Sequence, residues 1–150
     1  MNDRAVFDCM VYLQAVVNEQ GPAFACFRRV DEGRVTLCIS PPVLAEVSEV
    51  LNRPDLQGKF PNLTPQRVQA FLHNVRAKAL LVTEVPKAFS CVRDPDDEPY
   101  LNLAIAAGAK YLVTRDNDLL DLMKEDTFRQ RFPSFTILDP VALLQELARS

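Results

Sequence analysis

RDPDDEPYLNLAIAAGAKYLVTRDNDLL, residues Arg93–Leu120, places four acids (Asp94, Asp96, Asp97 and Glu98) in five positions ahead of an apolar helical run. The pattern predicts a helix from Glu98 to Ala107, ended by Gly108, and then a short apolar strand, Tyr111–Thr114, that delivers Asp116 and Asp118. Helix, glycine and strand in immediate succession are half of a parallel α/β unit, and acids stand at both of its ends. Carboxylates gathered in this way repel one another unless a cation neutralises them. The stretch therefore predicts a metal site to which the rest of the chain contributes further ligands.

Working outward, the same alternation recurs. Residues 4–8, RAVFD, read as a first strand ending in an acid, followed by a helix in which Met10, Leu13 and Val17 form an apolar stripe. Gly21-Pro22 restarts a helix that Gly33 ends, and Arg34–Ile39 reads as a second strand. Ser40 with Pro41-Pro42 opens a helix striped by Val43, Leu44, Val47, Val50 and Leu51, with Glu46 at the border of the stripe. A polar excursion, DLQGKFPNL, leads to a Thr64-Pro65 helix start, and Ala79–Val85 reads as a third strand. Beyond Leu120, short helical segments precede a fifth strand at Phe135–Leu138 and a last helix from Pro140. Five strands alternating with helices predict one α/β domain over residues 1–150, with a parallel sheet covered on both faces.

Composition narrows the function. At 150 residues with net charge −3, there is no global basic field to draw nucleic acid or a membrane surface, so a polyanionic substrate requires local arginines and a bound cation. Arg53, Arg93 and Arg115 flank the acidic segments and are the candidate phosphate contacts; their ordinary reading is solvated surface or ion pairs. Cys9, Cys26, Cys38 and Cys91 are widely spaced and His73 is the sole histidine, which argues against zinc and for reduced, buried thiols in a cytoplasmic protein. The first residues carry Asp3, Arg4 and Asp8 within an apolar run, which reads as strand and helix rather than a signal peptide, and no stretch is long enough to span a membrane.

Taken singly, each acid has an ordinary explanation. Asp8 is a strand-end carboxylate, Glu46 a solvated helix residue, Asp97 a helix cap, and Asp116 and Asp118 caps of the next short helix. Jointly they do not, because Asp8, Glu46, Asp97 and Asp116 all fall at the carboxyl edge of the predicted sheet. In open parallel sheets, ligands bind at that edge, where the strand order reverses.

On the motif FD(8)…PPVLAE(46)…DPDD(97)EPYLNLAIAAGAKYLVTRD(116)NDLL the chain resembles the PIN-domain family, and within it the VapC-like ribonuclease toxins of toxin–antitoxin systems. The resemblance covers essentially the whole chain and is most specific from Asp94 to Leu120. It implies a three-layer α/β/α sandwich around a central parallel sheet of about five strands. It also implies a Mg²⁺- or Mn²⁺-dependent endoribonuclease. By position, Asp8, Glu46, Asp97 and Asp116 fall on the family's catalytic, metal-binding acids, Thr114 on their hydroxyl-bearing neighbour and Asp118 on an accessory acid. Asp96 and Glu98 then either support the ligands from behind or supply local charge. The implied partners are an RNA substrate, a small antitoxin protein and a second copy of the chain. One departure stands out: Asp8-Cys9-Met10 replaces the family's D-T-N or D-S-N, and methionine cannot hydrogen-bond as asparagine does.

Two other classes were weighed. A PIN fold that binds metal or RNA but cleaves poorly is the alternative that Cys9-Met10 suggests. A receiver-like signalling domain needs an aspartate at the end of its third strand and a lysine after its last, and this chain has Thr83-Glu84-Val85 and Asp139-Pro140 there. No glycine-rich phosphate loop is present to favour a nucleotide-binding enzyme.

Overall fold

In the computed structural model, which describes residues 2–88 and 95–149, the apolar runs form strands β1 (Arg4–Phe7), β2 (Thr36–Ile39), β3 (Leu80–Leu81), β4 (Tyr111–Val113) and β5 (Thr136–Leu138). All pair in parallel, in the order β3-β2-β1-β4-β5. Val6, Phe7, Leu37, Cys38, Leu112 and Val113 are completely buried. A sheet covered on both faces has no solvated side, which is why its strands read as continuous apolar runs without alternation.

The strand order places the ligand crevice. The chain steps outward from β1 through β2 to β3, then crosses back to β4 and on to β5. Parallel crossovers are right-handed, so reversing the direction of travel moves the connecting helices to the opposite face. The result is a three-layer α/β/α sandwich whose switch point lies between β1 and β4. Before the return come α1 (Cys9–Val17), α2 (Pro22–Asp31), α3 (Pro41–Leu51), α4 (Pro54–Lys59) and α5 (Pro65–Lys78). After it come α6 (Glu98–Ala107), α7 (Asn117–Leu120) and α8 (Asp126–Arg131), while the last helix, α9 (Pro140–Arg149), packs against α2. Edge-to-face contacts among Phe7, Tyr12, Phe27 and Phe71, with ring centroids 5.0 to 6.4 Å apart, join β1 to α1, α2 and α5.

Local chemistry sets the helix ends. Ser40 and Thr64 accept hydrogen bonds from the Val43 and Arg67 amides at 3.3 and 3.2 Å, each with proline in the following turn. Gly108 closes α6 at φ 62°, a left-handed conformation that a side chain would strain, and turns the chain directly into β4.

Three expectations are corrected. The predicted strand Ala79–Val85 pairs only through Leu80–Leu81, extended by a single bond from the Val82 amide to the Ile39 carbonyl at 2.8 Å. It lies at the sheet edge with one neighbour, so its apolar residues are exposed there. The polar excursion after Arg53 contains helix α4, six residues opened by Pro54. Met10 does not belong to the buried stripe of α1; it is 50% exposed. Among the described residues, no helix is long and apolar enough to cross a membrane.

Candidate active site

Strand register brings the first two predicted site residues together. Phe7 pairs with Val113, so Asp8 and Thr114 leave the sheet side by side, and the Asp8 amide still donates to the Val113 carbonyl at 3.0 Å. The Thr114 hydroxyl donates to Asp8 Oδ2, while Asp8 Oδ1 accepts from the Val11 amide at 3.2 Å and caps α1. Thr114 Oγ1 in turn accepts from the Asp116 amide at 3.0 Å, and Asp116 Oδ1 accepts from the Asp118 amide at 2.8 Å, capping α7. One buried hydroxyl thus ties together the acids that follow β1 and β4.

The environment of Asp8 penalises charge. The residue is 6% exposed. Burial, with a smaller contribution from the negative charge of Asp116, pushes its carboxyl up to about 6, against the opposing hydrogen bonds from Thr114 and Val11.

The other acids arrive from the helices. Asp97, buried, stands at the start of α6. Glu46 lies on the exposed side of α3, and its Oε1 accepts a hydrogen bond from the hydroxyl of buried Tyr100 on α6. Asp8, Glu46, Asp97 and Asp116 line a single cleft of about 800 Å³, together with Cys9, Met10, Glu49, Asp96, Arg53 and Arg115. Six carboxylates therefore face two guanidiniums. One of those, Arg53, is engaged by Glu49, with Nε and Nη2 at 3.0 and 2.9 Å from its two carboxylate oxygens.

The remaining predicted residues divide. Thr114 is completely buried beneath the cleft and acts through its hydrogen bonds. Asp118 is not on the cleft wall; its amide supports Asp116. Arg115 is exposed and lines the cleft. Arg93 lies outside the described residues, as does Asp94. Asp96, read from sequence as a support of the ligands or as local charge, is on the cleft wall.

Sequence reasoning missed several cleft residues, among them Glu49, Tyr100 and Cys9. Tyr100 looks like helical core by spacing, but it shares a helix face with Asp97 at i, i+3, and that relation was the available signal. Cys9 was counted among buried thiols. It is half-buried in the cleft, where burial and the charge of Glu46 push its thiol up to about 11 and keep it protonated at neutral pH.

Whether these residues suit a cation depends on donor type and spacing. The donors are hard carboxylate oxygens with no imidazole, a set that favours Mg²⁺ or Mn²⁺ over zinc. Their mutual repulsion, expressed at Asp8, is relieved by positive charge. Among the described residues, however, no three His, Cys, Asp or Glu side chains come close enough together to hold an ion. The acids line a cleft rather than enclose a point. That arrangement suits a cation that keeps most of its own water and takes one or two carboxylates.

A doubly wound parallel sheet with an acidic cleft at its switch point defines the class of protein, and comparison with known proteins gives the family. The PIN domain family model matches residues 4–118. The chain belongs to the PIN-domain family. It is 24% identical over 125 residues to the uncharacterized protein MJ1680 of Methanocaldococcus jannaschii, covering 83% of this chain and 78% of that one. Among solved structures it is similar to PAE2754 of Pyrobaculum aerophilum, with TM-score 0.60 at 16% identity, covering 99% of this chain and 91% of that one. It is also similar to a chain of Rickettsia felis VapBC2 bound to a DNA fragment from its promoter, with TM-score 0.54 at 15% identity, covering 91% and 98%. At these identities the structural likeness concerns the fold.

Proposed function

We propose that this protein is a Mg²⁺- or Mn²⁺-dependent endoribonuclease and the toxin component of a toxin–antitoxin pair, with a small antitoxin protein as its partner. Membership of the PIN-domain family supports the nuclease reading, and the shared fold with VapBC2 supports the pairing. The observation that carries the chemistry is the Asp8–Thr114–Asp116 bridge at the β1/β4 switch point, set in a cleft where carboxylates outnumber guanidiniums six to two. Left to itself, such a cleft repels a phosphate backbone.

A bound divalent cation supplies charge neutralisation at the scissile phosphate and acidifies water there. Asp8, Asp97 and Asp116 are the residues that would hold it, one or two of them directly and the rest through its bound waters, with Glu46 beside them on the cleft wall. Thr114 keeps the Asp8 carboxylate oriented and lowers the cost of its charge. Asp116 is held by its cap to the Asp118 amide, which limits its rotamers. Arg115 is the guanidinium we assign to an RNA phosphate on the cleft wall, because Arg53 is engaged by Glu49.

The test is degradation of a mixed RNA substrate in Mn²⁺ or Mg²⁺ by the wild type, Asp97→Asn and Asp116→Asn. The proposal expects cleavage by the wild type and loss of roughly a hundredfold or more in each variant, the scale for removing one preorganised charge-stabilising group. If all three bind RNA equally and none cleaves, the protein is an RNA-binding module and the nuclease assignment is wrong.

A further inference from the structure

We infer that Tyr100 is a positioning residue for Glu46: its hydroxyl occupies Oε1 of a carboxylate on the solvent side of α3 and thereby presents the other oxygen to the acidic cleft. The inference rests on the metal-site reading above and extends it to a residue outside the acid set.

Among the described residues, Tyr100 is the hydrogen-bond partner that holds Glu46. The buried residues of α3 are Val43, Val47, Val50 and Leu51, and Glu46 lies on the exposed side. A glutamate in that setting keeps its rotamer freedom, and ordering it costs about 1.5–2 kcal/mol of side-chain entropy. Tyr100 supplies a fixed anchor. Its residue is 3% exposed on α6, so the ring position is set by packing, and its hydroxyl reaches Glu46 across the cleft.

The chemistry of the donor matters as much as its position. The Tyr100 hydroxyl donates and the Glu46 carboxylate, which has no proton to give, accepts. A hydrogen bond to an ionised acceptor is among the stronger kinds. The phenol carries no charge, so it orients Glu46 without cancelling the negative charge that a cation would meet. An arginine or lysine at position 100 would do the reverse. A phenylalanine would fill the same volume, and a buried hydroxyl is costly unless bonded, so packing alone does not account for the oxygen atom.

The experiment is Mn²⁺ binding by isothermal titration calorimetry to the wild type, Tyr100→Phe, Glu46→Gln, the double variant and Asp116→Asn. The Mn²⁺ concentration for half-maximal RNA cleavage is measured alongside. Tyr100→Phe is expected to weaken Mn²⁺ about tenfold, the scale for outer partners of metal ligands, and to recover its cleavage rate at saturating Mn²⁺. In the Glu46→Gln background the same substitution should change affinity by less than about twofold, because the two residues act as one unit. Equal weakening in both backgrounds would mean that Tyr100 acts through packing and would overturn the assignment. Wild-type affinity in Tyr100→Phe, with Asp116→Asn unable to bind, overturns the Tyr100 assignment alone. A wild type that does not bind Mn²⁺, or Asp116→Asn binding as well as wild type, overturns the metal-site reading and this inference with it. Should Tyr100→Phe fail to fold, Glu46→Gln decides: undiminished Mn²⁺ affinity shows that Glu46 is not held for a cation.

Discussion

Replacing Asp8 with asparagine should stabilise the metal-free protein at neutral pH. The Asp8 carboxyl is raised from 3.8 to about 6, principally by burial. A folded-state value above the unfolded one means that the fold favours the protonated form. Stability associated with this group is therefore fully present below about pH 4, is lost as pH rises toward 6, and stays lost above it. A shift of about two units corresponds to roughly 3 kcal/mol at pH 7. Asparagine keeps an oxygen for the Val11 amide and removes the charge, but it disturbs the bond from the Thr114 hydroxyl, a cost of about 1 kcal/mol. The net gain is about 1–2 kcal/mol, or a melting temperature higher by roughly 2–8 °C in a chain of this size. Thermal melts of both proteins in EDTA from pH 4 to 8 measure it. The variant should melt slightly below wild type at the acid end, and the curves should cross between pH 4 and 6 and then separate in its favour. A variant that melts below wild type at pH 7, or a difference independent of pH, refutes the account of Asp8.

Two further outcomes follow from the same geometry. Thr114→Val removes both the donor to Asp8 and the acceptor for the Asp116 amide, and should cost about 1–3 kcal/mol in urea denaturation. Because that hydrogen bond is the largest influence lowering the Asp8 carboxyl, the pH range of the stability loss should also move upward. Arg115→Ala should weaken RNA binding and reduce the slope of log affinity against log salt by about 0.7, the value for one phosphate contact on a single strand, while Mn²⁺ affinity is unchanged.

The sheet was legible because its central strands are buried on both faces. RAVF, TLCI and YLV are apolar at nearly every position, and each is bounded by a polar or turn residue. The expectation that Asp8 and Asp116 meet needed strands one and four to be neighbours at the switch point, and β1 and β4 are neighbours. What failed was context. Ala79–Val85 has the residues of a strand, but whether a strand is central or at the edge depends on neighbours distant in the chain, and at the edge only Leu80–Leu81 pairs. Helix α4 has no apolar stripe of its own, so periodicity could not find it. Met10 fits a three-and-four spacing with Leu13 and Val17, yet it occupies the first turn of α1 on the cleft wall and is half exposed.

The candidate site was legible in the gathering of its acids at one cleft and not in the groups that hold them. Carboxylates at the ends of apolar strands stand out as an electrostatic anomaly, and Asp8, Glu46, Asp97 and Asp116 all line the cleft. Tyr100 stood out in no such way, because helical spacing accounts for its ring and says nothing of its hydroxyl. Asp8 and Asp116 also do the ordinary work first considered for such residues, since both cap helices with one carboxylate oxygen. Capping and clustering are not alternatives here: the caps fix the rotamers that bring the acids to the cleft.

The central claim is that this acidic cleft works on RNA only with a divalent cation. Protein stripped with EDTA should leave a mixed RNA substrate intact, and addition of excess Mn²⁺ or Mg²⁺ should restore cleavage in the wild type and not in Asp116→Asn. Robust cleavage in excess EDTA, or cleavage by Asp116→Asn equal to wild type, would contradict it.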